Sequence, residues 1–195
     1  MSRITSFLLR STVTLSACLA LSIASAGCGG GTAPTGGAGT PDSSGGSSGG
    51  LVGQPAPEIT ATDVTGEGPA TLKDAAGRVV ILDFWATFCE PCKKSFPKYQ
   101  ELMDQFGGDL VVIAVSVDDP EDVKEDQIKE FVSATGVKFK VVWDKDKNAV
   151  KTYSPPKMPT SYIIDKSGVV KHIHAGYESG EEAKIGDEVR ALLGK

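Results

Sequence analysis

Val79-Val80-Ile81-Leu82-Asp83-Phe84-Trp85-Ala86-Thr87-Phe88-Cys89-Glu90-Pro91-Cys92-Lys93-Lys94-Ser95-Phe96-Pro97 is the stretch that decides the fold. Its first seven residues are apolar except Asp83, a near-continuous run that suits a strand buried on both faces. The residues after Cys89 are helix-like, so two cysteines separated by two residues sit where a strand gives way to a helix. Such a pair can close a small disulfide ring, and the free N–H groups and dipole of a helix start stabilise a thiolate. A free thiol of pKa ~8.5 is mostly protonated at neutral pH; at a helix start beside a second cysteine the value falls by about one to several units. Cys89 is the sulfur this geometry activates, and the pair reads as a redox-active dithiol.

Other chemistries use the same spacing. Half of a zinc site would need two more Cys or His ligands, and the rest of the chain offers Cys18, Cys28, His172 and His174. A c-type haem attachment would need His directly after the second cysteine, where Lys93 stands. An inert structural disulfide is the remaining alternative. Glu90, between the cysteines, disfavours a thiolate and leaves the disulfide unaffected, which makes the pair more reducing; Lys93 and Lys94 push the other way through solvent. The balance leans to a reductase over an oxidant.

Outward from this stretch, strand-like runs alternate with amphipathic segments. The pattern predicts a strand over 78–85, a helix over 91–106 kinked at Pro97, and a second buried strand over 110–117, a βαβ unit. A helix over 121–135, with Val123, Ile128, Phe131 and Val132 among charges, ends at Gly136. A strand over 139–143 and a short helix over 144–153 come next. Segments 162–165 and 169–174 form a hairpin turning at Lys166-Ser167-Gly168, and a helix over 181–193 closes the chain.

The N-terminus carries Arg3, Arg10 and an uncharged run over 11–26, an export signal. That run is too short, and too closely followed by Gly and Ser, for a permanent span of ~20 residues. Leu15-Ser16-Ala17-Cys18 and Ser25-Ala26-Gly27-Cys28 both resemble a bacterial lipobox. Cys28 is the favoured lipidation site because it ends the apolar run, whereas a cut at Cys18 would halve it; ordinary cleavage after Ala24-Ser25-Ala26 is the alternative. Residues 1–27 are thus expected to be a lipoprotein-type signal peptide. Residues 28–50, almost wholly Gly, Ser, Thr, Pro and Ala, are a disordered tether that cannot bury enough apolar surface to order itself. Residues 51–195 are the size of one domain. Without Arg3, Arg10 and Asp42, 18 basic and 24 acidic residues remain, a net charge of −6 that argues against nucleic-acid binding. Cys89 and Cys92 are the domain's only cysteines, so an exported domain has kept a pair for chemistry rather than a disulfide framework.

Residues 83–97 resemble the active-site stretch of thioredoxin-like proteins, most closely TlpA/ResA-type extracytoplasmic thiol-disulfide oxidoreductases of the AhpC/TSA-redoxin superfamily. Gly53-Gln54-Pro55-Ala56-Pro57-Glu58-Ile59, with Leu72 and Gly77, resembles the N-terminal strand of that branch and of peroxiredoxins. Met158-Pro159-Thr160, then Ile163-Ile164-Asp165 and Gly168, resembles the family's cis-proline loop and final hairpin. The resemblance spans the whole of 51–195 and implies a thioredoxin-like α/β fold: a central mixed sheet flanked by helices, with an N-terminal strand extension.

It also implies roles. Cys89 attacks a partner disulfide and Cys92 resolves the mixed disulfide, with no cofactor and no metal. Pro159 is cis and lies against the dithiol, and the Met158 backbone pairs with the substrate strand. Asp83, at the spacing of thioredoxin's buried aspartate, takes the proton of Cys92. Many TlpA/ResA-like proteins have Asn there and a Glu on the helix where this chain has Ser95, so the acidic partner is exchanged and the branch's role in cytochrome c maturation is not carried over. Trp85, Phe88, Glu90 and Pro91 surround the pair, the two aromatics chiefly by packing. Implied partners are disulfide-containing exported proteins and a membrane electron donor of the CcdA or DsbD kind, met by a monomer lipid-anchored in the cell envelope or periplasm.

The runner-up is a Sco-like copper chaperone on the same fold, with His172 and His174, which point to one side of a strand, as ligand candidates; an exposed polar face is the plainer reading of that pair. Peroxidase chemistry would need Thr three residues before the cysteine, and Thr87 is two before Cys89. A scaffold that has lost catalysis would have no reason to keep the CxxC pair, Asp83 and Pro159 together.

Overall fold

The computed structural model describes residues 48–195. The expected signal peptide, Cys28 and most of the expected tether lie outside them. The first described residues form a 3₁₀ turn, Ser48–Leu51.

The strands are β1 (Thr62–Thr65), β2 (Val79–Trp85), β3 (Leu110–Ser116), β4 (Lys140–Trp143), β5 (Thr160–Ile164) and β6 (Val170–Ala175). They form one mixed sheet in the order β1-β4-β3-β2-β5-β6. Strands β2, β3 and β4 run parallel, whereas β5, β6 and β1 pair antiparallel. Helices α1 (Glu90–Phe106), α2 (Glu125–Thr135) and α4 (Glu181–Leu193) contribute to one core with Ile81, Trp85 and Ile163. Helix α3 (Asn148–Tyr153) and the segment around Ile59 cover the opposite face with Leu82, Phe84 and Tyr162. Both faces of β2 and β3 are therefore buried, which is why these strands read as near-continuous apolar runs, interrupted only by Asp83 and Ser116.

The N-terminal extension is held by backbone bonds, Gly53 N–H to the Val170 carbonyl at 2.8 Å and Ala56 N–H to the Gly168 carbonyl at 2.8 Å. Beyond β1, Gly66 (φ +89°) passes so close to Phe139 that a Cβ there would lie 1.9 Å from its carbonyl oxygen; only glycine fits.

Helix α2 begins four residues later than its apolar pattern suggests. Residues 119–123 instead form a turn, with the Asp122 and Val123 N–H groups donating to the Asp119 carbonyl, and the Gln127 side chain then accepts from the Lys124 N–H at 2.8 Å. Likewise α3 starts at Asn148, because Asp144 turns back to accept from the N–H groups of Ala149 and Val150. Helix α1 runs without interruption through Pro97. Among the described residues no helix is long and apolar enough to cross a membrane.

Candidate active site

Only residues 86–89 separate β2 from α1, and this junction holds the dithiol. Cys89 is the N-cap of α1 in extended backbone, and the Cys92 N–H points to Cys89 Sγ at 3.2 Å. The first N–H groups of a helix have no partners within it, so a negative sulfur at the cap meets donors and the positive end of the dipole. The pair is oxidised, with the sulfurs bonded at 2.00 Å. Cys89 is 6 % exposed and Cys92 fully buried, which leaves the first sulfur as the one a partner can reach.

The groups around the pair differ in how they are held. Glu90 and Lys93 form an exposed ion pair at 2.5 Å, so their opposed effects on a thiolate meet within one solvated couple. Trp85 is fully buried, its ring 4.9 Å from Phe96 and 4.6 Å from Phe131. Phe88 departs from the expected packing role and is 73 % exposed, since it falls in the turn between strand and helix where no layer covers it. Met158–Pro159 is a cis peptide; Pro159 is buried and its carbonyl accepts from the Gly176 N–H at 2.7 Å. Met158 packs against the core that contains both cysteines.

Asp83 stands on the face of β2 that also carries Ile81 and Trp85, under α1, and is fully buried. Its Oδ1 accepts from the Ser161 hydroxyl at 2.6 Å, with the Tyr99 hydroxyl a distant 3.5 Å away. Because Ser161 spends its single proton on Asp83, Tyr99 is the donor in the 2.6 Å Tyr99–Ser161 bond. Oδ2 has no partner, and neither does the buried Trp85 indole N–H. Loss of water is therefore only half compensated, and burial pushes the carboxyl from 3.8 up to about 7; the Ser161 and Tyr99 bonds hold it down and the charge of Glu181 adds a little upward. Ser95, where a carboxylate would otherwise face the dithiol from the helix, is buried and donates to the Cys92 carbonyl at 3.2 Å.

Asp118 is a site residue that sequence reasoning missed. It is buried just beyond β3 and accepts from the Thr87 N–H with both oxygens at 3.1 and 3.0 Å, from the Thr87 hydroxyl at 2.7 Å and from Ser116 Oγ at 2.8 Å. Its own carbonyl accepts from the Trp143 indole at 2.9 Å. This knot fixes the turn that leads into Cys89. The available signal was an acid two residues past a strand that is apolar up to its final Ser116 and parallel to the strand that leads to the dithiol.

His172 and His174 do not form one exposed face. His172 is 41 % exposed at its side chain, but His174 is buried under α4, with Nδ1 3.1 Å from Glu181 and Nε2 2.6 Å from Glu188. Among the described residues no group of three or more His, Cys, Asp or Glu is arranged to hold a metal ion.

A mixed sheet with a disulfide at the N-cap of α1, a buried carboxylate and a cis-proline loop defines a thioredoxin-like dithiol protein. Residues 52–173 match the AhpC/TSA family, and the chain belongs to that family. It is 36 % identical over 131 residues to the thiol-disulfide oxidoreductase ResA of Bacillus thuringiensis, covering 67 % of this chain and 73 % of the relative. To the thioredoxin-like protein YneN of Bacillus subtilis it is 35 % identical over 130 residues, covering 67 % and 75 %. A crystal structure from Chlorobium tepidum, described as a thiol:disulfide interchange protein DsbE, matches with a TM-score of 0.64 at 30 % identity, over 73 % of this chain and 97 % of the other. The chain is a thiol-disulfide oxidoreductase.

Proposed function

We propose that this oxidoreductase reduces disulfides of exported proteins. The Cys89 thiolate bonds to one sulfur of the partner disulfide and expels the other as a thiolate. Cys92 then gives its proton to Asp83 and attacks Cys89 Sγ; the bond between Cys89 and the partner breaks, and the second partner sulfur leaves. The partner gains two electrons and the dithiol becomes a disulfide. No resident cofactor enters the cycle. The Met158 backbone beside cis Pro159 offers an edge on which the substrate strand pairs.

The observation that carries this reading is Asp83: a carboxyl on the buried side of the dithiol, with one oxygen unpartnered and its proton affinity near neutrality. Such a group takes and returns a proton at working pH with little cost either way. The remaining organisation is that of the sequence: a signal over 1–27, lipidation at Cys28, a tether over 28–50 and a monomeric domain over 51–195, exported to the cell envelope or periplasm. A tethered domain of this kind is re-reduced by a membrane donor of the CcdA or DsbD kind.

Equilibrating the protein with dithiothreitol or glutathione buffers and trapping free thiols tests the direction. A reduction potential near or below about −270 mV is expected; one near about −120 mV would make the chain an oxidant instead.

A further inference from the structure

The polar residues on the helix-covered face do not stop at Asp83. Asp83 on β2 pairs with Ser161 on β5, and Ser161 pairs with His174 on β6, so one row across three strands carries a carboxyl, a hydroxyl and an imidazole. The adjacent row on that face is Ile81, Ile163 and His172. Tyr99 closes the row from α1 through Ser161, and α4 closes it at the far end. Glu181 and Glu188, seven residues apart and so on one face of α4, clasp the two nitrogens of His174. Both carboxylates are largely shielded, at 18 % and 14 % exposed.

The titratable and polar groups linked to Asp83 are thus Tyr99 from α1, Ser161 from β5, His174 with His172 at the edge from β6, and Glu181 and Glu188 from α4; its partner on β3 is Ala114. In this set the charge of Glu181 adds to the effect of burial at both Asp83 and Tyr99. Two carboxylates around one imidazole stay net negative whether or not the ring is charged, and partial burial weakens the screening of that charge.

We propose that Glu181, held by His174, is a positioning residue for proton transfer at Asp83: its carboxylate, fixed at the end of the Asp83–Ser161–His174 row, sharpens Asp83 as the acceptor of the Cys92 proton. This rests on the reading of Asp83 as the partner of Cys92. His174 and Glu188 act through Glu181 by denying it the freedom to swing into solvent.

The test tracks the Asp83 side-chain carboxyl carbon by NMR against pH in the full chain, assigned by its loss in Asp83→Asn. Glu181→Gln is expected to lower the midpoint by a few tenths of a pH unit, roughly the effect of one distant charge. His174→Gln, which leaves Glu181 charged but unheld, is expected to lower it by less. In parallel, the pH profile of the resolution step is expected to move with Glu181→Gln in the wild-type background and to stay put in the Asp83→Asn background. An unmoved carboxyl midpoint overturns the proposal and leaves the Asp83 reading standing. A moved midpoint with an unmoved resolution profile overturns the Asp83 reading and the proposal with it. A profile that still moves without Asp83 shows that Glu181 acts by another route, which also overturns it.

Discussion

Two carboxylates lie buried near the C-terminal ends of neighbouring parallel strands, and they are finished differently. Asp118 receives two backbone-directed bonds and two hydroxyl protons, so both of its oxygens are satisfied. Asp83 receives one short bond, and its second oxygen has none. Burial is common to both, so burial alone does not make an acid–base group. An unfinished hydrogen-bond shell does, because the charge on Asp83 loses its water without full replacement. One acid ties the turn before Cys89 in place, and the other keeps an oxygen without a hydrogen-bond partner in the interior.

The contrast can be broken first at the sulfurs that Asp83 is proposed to serve. Cys89→Ser is expected to abolish insulin reduction in dithiothreitol, and Cys92→Ser to accumulate mixed disulfides on non-reducing gels; residual turnover by the Cys89 variant would overturn the order of attack.

Next comes Asp83→Asn, expected to slow resolution about tenfold or more in stopped-flow measurements. The same variant carries a stability signature. Between about pH 4 and pH 7 the folded chain holds a proton on Asp83 that the unfolded chain has lost, so the contribution of Asp83 to stability is greatest below about pH 4 and falls as the pH rises to about 7. Above that pH the asparagine, which buries no charge, is expected to be the more stable by on the order of 3–4 kcal/mol, with no such advantage at pH 4. Urea denaturation at the two pH values checks this, and an equal difference at both would show that Asp83 is ionised with ease where it lies.

Asp118→Ala is expected to have the opposite sign. It strands the Thr87 and Ser116 donors in the interior and costs about 2–4 kcal/mol. A neutral outcome would mean that the turn before Cys89 is held by other contacts. The smallest effect belongs to Thr87→Ala, which removes one hydroxyl and keeps the backbone bonds to Asp118; about 1 kcal/mol is expected from the same denaturation curves.

Much of the fold was legible because its cues are local. Val79–Trp85 and Leu110–Ser116 are buried on both faces and read as strands without help from elsewhere. The last helix matches its apolar period end to end at Glu181–Leu193. The α2 boundary was not legible, since Val123 fits the helical period yet belongs to a turn closed on Asp119. Neither was the fate of the aromatics beside the dithiol, because Trp85 and Phe88 look alike as residues and differ only in which layer lies over them. His174 was misread as part of an exposed pair for the same reason: α4, which covers it, arrives later in the chain.

What the sequence determined by itself is the reactive pair, its place at a strand-to-helix junction and the order of the elements, since spacing and periodicity act over a few residues. Tertiary structure alone decided what the acids do. Ser161 reaches Asp83 from 78 residues away, and Thr87 reaches Asp118 from 31. A carboxyl's proton affinity depends on the water it loses and the donors it gains, and both are set by segments that meet only when the sheet has formed.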